Sequence, residues 1–350
     1  MWAVLVLVPA LAVVSLQAGD AGKPASPQIV QLEQREPQAE QVQREHLVIL
    51  HINDTHGRLE LHKVKGRSVG GVARLAGLIK QIRRKNPGRV LLVHAGDVFS
   101  RGDAVTRHYK GRANIDLMNR MGYDAMVLGN GEYYWGIENL RRRMSEAKFA
   151  VLAGNIFEVR KDKPKPKAVG KSFVVRKVGP LRVGLMGLSL ISPKHRGSRN
   201  LRMGENIKLA KKWVGKLEGK TDLVVLLSHL GLADDTMVGG MLSGVKIIVG
   251  SHTHTVLKKP VIIRKGEGAA QKKVHIVQAG KHYEYLGRID LDFSREESGG
   301  WKVTKIRCRL IPVSESIKVD GKIAKRLEEY HLQMKETPTV KQAAPAGVSP

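Results

Sequence analysis

Five short segments concentrate the side chains of this chain that could do chemistry. They are Asn53-Asp54-Thr55-His56-Gly57, His94-Ala95-Gly96-Asp97, Leu128-Gly129-Asn130, Ser228-His229 and Gly250-Ser251-His252-Thr253-His254. Carboxylate, imidazole and amide donors in combination suit borderline divalent ions such as Zn, Mn, Fe or Ni. Cys308 is the only cysteine, which excludes a thiolate-rich structural zinc site. A single histidine after a strand is usually a packed or capping residue, and an Asp-x-His triplet arises by chance. Five such segments, each directly behind an apolar run, do not.

Those apolar runs are the elements that must position the donors. Leu47–Ile52, Val90–Val93, Ala125–Leu128, Val183–Leu188, Leu223–Leu227, Val245–Val249 and Val274–Val277 read as buried strands. Loops at strand C-termini converge on one edge of an α/β sheet, which is where such folds build sites. Between the first two runs, Val72, Leu75, Ala76, Ile79 and Ile82 mark one face of a helix. Further helices are expected at Asn114–Met121, Ile137–Ala147 and Glu205–Leu217. After residue 270 strand follows strand, with Leu286–Phe293 and Trp301–Leu310 joined by Ser298-Gly299-Gly300. A βαβ start with a β-rich end indicates an α/β sandwich with mixed sheets. Lys322–Met334 reads as a charged amphipathic helix, and the Pro/Ala/Gly tail from Thr337 as disordered. Cys308 alternates with its neighbours as inert strand packing.

The 350 residues carry 60 Lys+Arg against 32 Asp+Glu, a formal charge of +28. Such a surface attracts phosphorylated small molecules or anionic envelope polymers. The basic clusters are dispersed and read first as solvated faces. With 5% aromatic residues and no nucleic-acid motif, nucleic acid is an unlikely partner. Residues 1–18 contain an apolar run from Ala3 to Leu16 and read as a signal peptide, placing the protein in the periplasm or outside the cell. If retained, the same run would be a membrane anchor. Residues 19–45, rich in Gln, Glu, Pro and Ala, read as a flexible linker.

Together with Ile115-Asp116-Leu117-Met118-Asn119-Arg120-Met121-Gly122-Tyr123-Asp124-Ala125-Met126, Gly244–His254, Val277-Gln278-Ala279-Gly280 and Tyr285-Leu286-Gly287-Arg288, the five segments resemble the calcineurin-like metallophosphoesterases. Within them the likeness is to the 5′-nucleotidase branch. The resemblance covers residues 46–315 and implies a four-layer αββα sandwich with mixed sheets. It implies two divalent ions, with Asp54, His56 and His254 on one, Asn130, His229 and His252 on the other, and Asp97 bridging. Asp97, Asn130 and His252 would be the catalytic members of this set. The implied activity is hydrolysis of a phosphate ester, of nucleotide type, by a metal-bound hydroxide.

Two departures from the family pattern stand out. Members carry a His/Asp dyad in the third segment, where this chain has Gly131 and Tyr134. Loss of the imidazole opens space there and removes proton help, for which Tyr133, Tyr134 or His108 are conceivable substitutes. The branch's C-terminal nucleotide-recognition domain has no counterpart, residues 316–350 reading as a helix and tail. Recognition then falls to the basic loops Ser100–Gly111 and Ser192–Gly204, or to a separate substrate-recognition protein. Two alternatives remain open: a non-catalytic metal-binding envelope protein, and a thiosulfohydrolase-like hydrolase whose thiolate leaving group needs little protonation.

Overall fold

The run Leu47–Ile52, interrupted only by the buried His51, is apolar on both sides because both faces of its strand are covered. Leu47 and Ile49 turn to one side, where they meet Val183, Leu185, Val225 and Ile247 of a second sheet. Val48, Leu50 and Ile52 turn to the other, onto Leu75, Ile79, Leu117 and Met118 of two helices. A strand buried on both faces reads as a continuous apolar run rather than an alternating one. The same division recurs in the second sheet, where Met186, Leu226 and Ile248 pack outward on Ala210, Trp213 and Val238. The result is a four-layer αββα sandwich, as expected.

The computed structural model describes residues 42–160, 163–267 and 271–336. The signal segment 1–18, most of the linker, and the tail from Thr337 lie outside the described residues. No described helix is long and apolar enough to cross a membrane.

Each sheet has six strands. The first runs Trp301–Pro312, Tyr285–Arg295, Arg44–Ile52, Val90–His94, Ala125–Val127, Ala150–Leu152. The second runs Val261–Lys265, Lys272–Val277, Ile247–Val249, Leu223–Ser228, Leu181–Leu188, Phe173–Val178. Four neighbouring strands in each are parallel, and the remaining strands are antiparallel. The parallel strands deliver their C-termini to one edge, and the five donor segments all begin there. The first strand starts at Arg44, so the linker expected over 19–45 is too long: Arg44 and Glu45 already pair with Ser294 and Phe293. Cys308 sits half-buried in its strand, its thiol pushed up to about 12 by burial.

The last described helix, Gly321–Glu336, is anchored on this unit. Ile323, Leu327 and Tyr330 join the core beneath the first sheet. Arg326 and Tyr330 both donate to Asp116 Oδ2, at 2.5 and 3.1 Å. The segment leading into it crosses helix Val72–Lys85 at Gly77, where any Cβ would run into the carbonyl of Lys318. Several described elements were not expected from the sequence, among them the sheet-edge strands Ala150–Leu152, Phe173–Val178 and Val261–Lys265 and the short helix Ala104–His108. The larger additions are helix Leu232–Met241, a small sheet of Ile156–Arg160, Lys163–Ala168 and Leu201–Met203, and the hairpin Leu61–Val64/Arg67–Gly70.

Candidate dinuclear metal site

The donor segments are locked to one another by their own backbones. Asp54 N–H donates to Gly96 O at 3.0 Å and His56 N–H to Asp97 O at 2.8 Å, joining the first two loops. Ser251 Oγ donates to Ser228 O at 2.8 Å, joining the fourth and fifth. His252 N–H donates to Asp54 Oδ2 at 2.9 Å, joining the two sheets. These tight crossings put Asp54, His56, Asp97, His252 and His254 at φ of 51, 49, 54, 71 and 54°. Left-handed backbone at non-glycine residues costs on the order of 1–3 kcal/mol each and persists where the surroundings over-determine it. Here that strain is concentrated at the donors.

The side chains converge in two close groups, Asp54/His56/His254 and Asp54/Asp97/His229, each with its donor atoms within 4.8 Å of one another. His56 Nε2 and His254 Nε2 lie 2.9 Å apart, and Asp54 Oδ1 is 3.9 and 3.6 Å from them. Asp54 is common to both groups, and Asp97 lies between the His229 and His56 rings, with Oδ1 3.4 Å from His229 Nε2 and Oδ2 3.6 Å from His56 Nδ1. Asn130 stands between Gly129, where a Cβ would abut Asp97 and His229, and Gly131, where a Cβ would abut Asp97. The His252 ring lies 5.3 Å from that of His229, outside the close cluster. Asp54 Oδ1, His229 Nε2 and Asn130 Oδ1 are buried without a hydrogen-bond partner. Orphaned buried donors of this kind are costly unless a cation completes them.

The surrounding polar groups orient these atoms, as metal sites require of their outer contacts. Asn53 Nδ2 donates to Asp54 Oδ2 at 2.7 Å and to Gly280 O at 2.6 Å. The other nitrogen of His229, Nδ1, lies 2.7 Å from Ser251 Oγ and 2.8 Å from Ala95 O, which leaves Nε2 for the site. Burial holds His56 and His252 below the usual imidazole range. Burial, reinforced by His56 and Lys281, takes His254 down to about 4, so all three rings are neutral and can donate lone pairs. Burial, with Asp97 adding to it, pushes Asp54 up to about 7 despite His229 and its hydrogen bonds. Burial also opposes charge on His229, but Asp97 and Asp54 outweigh it and push it up to about 10. Burial would raise Asp97 too, yet His229 holds it below the usual carboxylate range. A buried proton on His229 thus balances two carboxylates, and a divalent ion binding there displaces it. The donor set fits the ions expected from the sequence.

Two residues that build this site, Glu132 and His195, were assigned no role from the sequence. Glu132 is fully buried and accepts four backbone N–H groups. Its Oε2 takes Asp97 N–H at 2.9 Å and Gly129 N–H at 2.6 Å, while Oε1 takes Val98 N–H at 2.7 Å and Phe99 N–H at 3.2 Å. His195, from the loop Ser192–Gly204, places Nδ1 2.7 Å from Asn130 O and its ring edge-on to Tyr134. Arg101, from the other basic loop, lies over the same Tyr134 ring at 5.7 Å. Tyr133 is buried with its hydroxyl 3.3 Å from Ser189 Oγ, and burial raises its pKa, so it is a poor proton source. His108 packs edge-on against Tyr109.

The space expected at Gly131 is not there. Gly131 N–H donates to Asp97 Oδ1 at 2.6 Å, and a Cβ on this residue would lie 2.9 Å from that oxygen and 3.2 Å from Ser100 Cβ. Gly131→His therefore requires the Asp97 carboxylate or Ser100 to shift by a few tenths of an ångström. Overpacking a tight position costs about 1–3 kcal/mol. We expect this variant to lower metal affinity about tenfold, measured by competition with a chromogenic chelator, with no gain in turnover.

Comparison with known proteins accounts for this arrangement. Residues 47–256 match the family model of the calcineurin-like phosphoesterases. The chain belongs to this family. Within it the similarity is to 5′-nucleotidases, with 31% identity to that of Bos taurus over 82% of this chain and 53% of the relative. The Homo sapiens 5′-nucleotidase gives 30%, with the same shares covered. The chain spans about half the length of the curated relatives it matches. Among solved structures, a 5′-nucleotidase precursor from Thermus thermophilus superposes with a TM-score of 0.73 at 28% identity, covering 83% of this chain and 59% of that one. A calcineurin-like phosphoesterase from Bacillus subtilis shares the fold, with a TM-score of 0.68 at 20% identity, covering 84% of this chain and 99% of that one. Members of this family use divalent metals, and the groups described above are this chain's candidate ligands.

Proposed function

We propose that the protein is a metal-dependent hydrolase of phosphate monoesters, nucleotides among them, that favours esters with acidic leaving groups. The observation that carries this reading is the position of Asp97. It lies between the His229 and His56 rings, with Oδ1 3.4 Å from His229 Nε2 and Oδ2 3.6 Å from His56 Nδ1, a position from which one carboxylate would bridge two ions. Asp54, His56 and His254 would hold one ion, and Asn130, His229 and His252 the other. A bound pair of ions polarises a phosphoryl oxygen and lowers the pKa of a bound water. The chain's own residues then keep these functions in register: Gly131 N–H holds Asp97 Oδ1, and His252 braces Asp54 through its backbone.

What the loop around Asn130 lacks is an imidazole at Gly131, and Tyr134 stands where a carboxylate partner would be expected. A general acid contributes about 10²–10⁴ in rate. Without one, a ribose 5′-oxygen leaves poorly whereas an aryl oxide does not. Arg101 and His195, each packed on Tyr134, bring the two basic loops to the mouth of the site, where they can capture the anionic ester. The catalytic unit would run over 46–315, extended by its C-terminal helix. The N-terminal apolar run supports an exported protein, and any separate recognition partner would meet these basic loops.

The test is hydrolysis of an aryl phosphate and of AMP by the Mn²⁺- or Zn²⁺-loaded chain. Aryl phosphate should turn over at least about 100-fold faster than AMP, the low end of what an acid supplies. Equal rates would overturn the leaving-group argument. No turnover of either ester by metal-loaded protein would favour a metal-binding role without catalysis.

A further inference from the structure

Beside the donor loops lies a second cluster that the proposed reaction does not use. His62, His282 and Glu284 each offer a ligand atom, and the three atoms lie within 4.8 Å of one another. The His62 side chain is 10% exposed, and both of its ring nitrogens are buried without a hydrogen-bond partner. Its Nε2 is 3.7 Å from Glu284 Oε1, too far for a hydrogen bond. The His282 ring stands edge-on to it, with centroids 5.6 Å apart. A buried imidazole with neither nitrogen satisfied is expensive, on the order of 1–3 kcal/mol per group.

The cluster is held rigidly. His62 lies in the hairpin Leu61–Val64/Arg67–Gly70, whose turn uses left-handed Lys65 and Gly66 at φ 48 and 78°. Gly70 ends that hairpin against both histidines: a Cβ there would sit 2.8 Å from His282 O and 3.0 Å from His62 Cε1. His282 and Tyr283 are themselves left-handed, at φ 53 and 61°. His282 N–H donates to Asp54 O at 3.0 Å, and Val313 N–H donates to Glu284 O at 2.9 Å. As at Asp54 and His254, backbone strain is maintained where side-chain donors gather.

We propose that His62, His282 and Glu284 form a separate mononuclear site for a divalent cation of the zinc class. Two imidazoles and a carboxylate are a donor set that Zn²⁺ accepts, with water in the fourth position. Zn–N and Zn–O bonds of about 2.0–2.2 Å place tetrahedral ligand atoms about 3.4 Å apart, close to the His62–Glu284 separation. Glu284 is 18% exposed, which gives the ion a path and the water its place. The ion clamps the hairpin to the segment whose backbone supports Asp54, so it stiffens the first donor loop. The site shares no ligand with the dinuclear groups and does not depend on the proposed reaction.

The test is the number of Zn²⁺ ions bound by the full chain, stripped with chelator, dialysed against ZnCl₂ and counted by mass spectrometry. His62→Ala should bind one ion fewer than the unaltered chain. Glu284→Gln, nearly isosteric, should fold normally and bind that ion at least about tenfold more weakly. Asp97→Asn should keep the His62-dependent ion, so failure of the dinuclear reading and failure of this one are read separately. Unchanged zinc stoichiometry and affinity in Glu284→Gln, or in folded His62→Ala, would overturn the assignment.

Discussion

Asp97→Asn is expected to abolish hydrolysis, lowering aryl phosphate turnover by at least about 10³-fold, while the protein stays folded. The side chain keeps its shape, and an amide oxygen can still accept the Gly131 N–H that now donates at 2.6 Å. What is lost is the negative charge lying 3.4 Å from His229 Nε2 and 3.6 Å from His56 Nδ1. Loss of an outer-sphere partner alone typically costs 10–100-fold in metal affinity or activity. Removing a carboxylate that is itself a member of the donor set must cost more. Steady-state rates and metal content measured on the same preparation check this. Turnover within tenfold of the unaltered protein would mean that Asp97 is not the shared ligand.

Glu132→Gln is expected to be the most destabilising near-isosteric change in the molecule. Each carboxylate oxygen accepts two backbone N–H groups, from Asp97 and Gly129 on one side and Val98 and Phe99 on the other. A glutamine must turn its NH₂ toward one pair in either orientation, leaving two buried donors facing a donor. At about 1–3 kcal/mol per unsatisfied group the loss is roughly 2–6 kcal/mol. At about 2–4 °C per kcal/mol, calorimetry should show Tm falling by roughly 4–24 °C. Turnover should also fall, because the same bonds fix the loop that carries Asp97, and excess metal should not restore it. A Tm within about 2 °C of the unaltered protein would show that this carboxylate does not organise the loop.

The sequence was most legible where burial is two-sided or periodic. Leu47–Ile52 and Leu223–Leu227 show as apolar runs because helices cover one face and the opposing sheet the other. Helix Val72–Lys85 shows through its regular apolar spacing. The donors were legible because each stands at a strand end, though no spacing could show that five of them need left-handed backbone. Helix Leu232–Met241 was hidden by Gly239 and Gly240, poor helix formers held in place by tertiary packing. The hairpin was hidden because its turn is Lys65-Gly66 rather than Asn-Gly or Asp-Gly. Glu132 matches the family's third segment, but its role was hidden because it depends on where four N–H groups point. The room expected at Gly131 was misjudged for a similar reason: a missing side chain says nothing about what has closed in, and here it is Asp97.

The two-ion account is tested most directly by crystals grown with Mn²⁺ and examined by anomalous diffraction. Two anomalous peaks about 3.5–4 Å apart are predicted, one among Asp54, His56 and His254 and one beside Asn130, His229 and His252. An oxygen of Asp97 should be bound to each. A single peak, or a pair of peaks with Asp97 bound to neither or only one, would contradict the account.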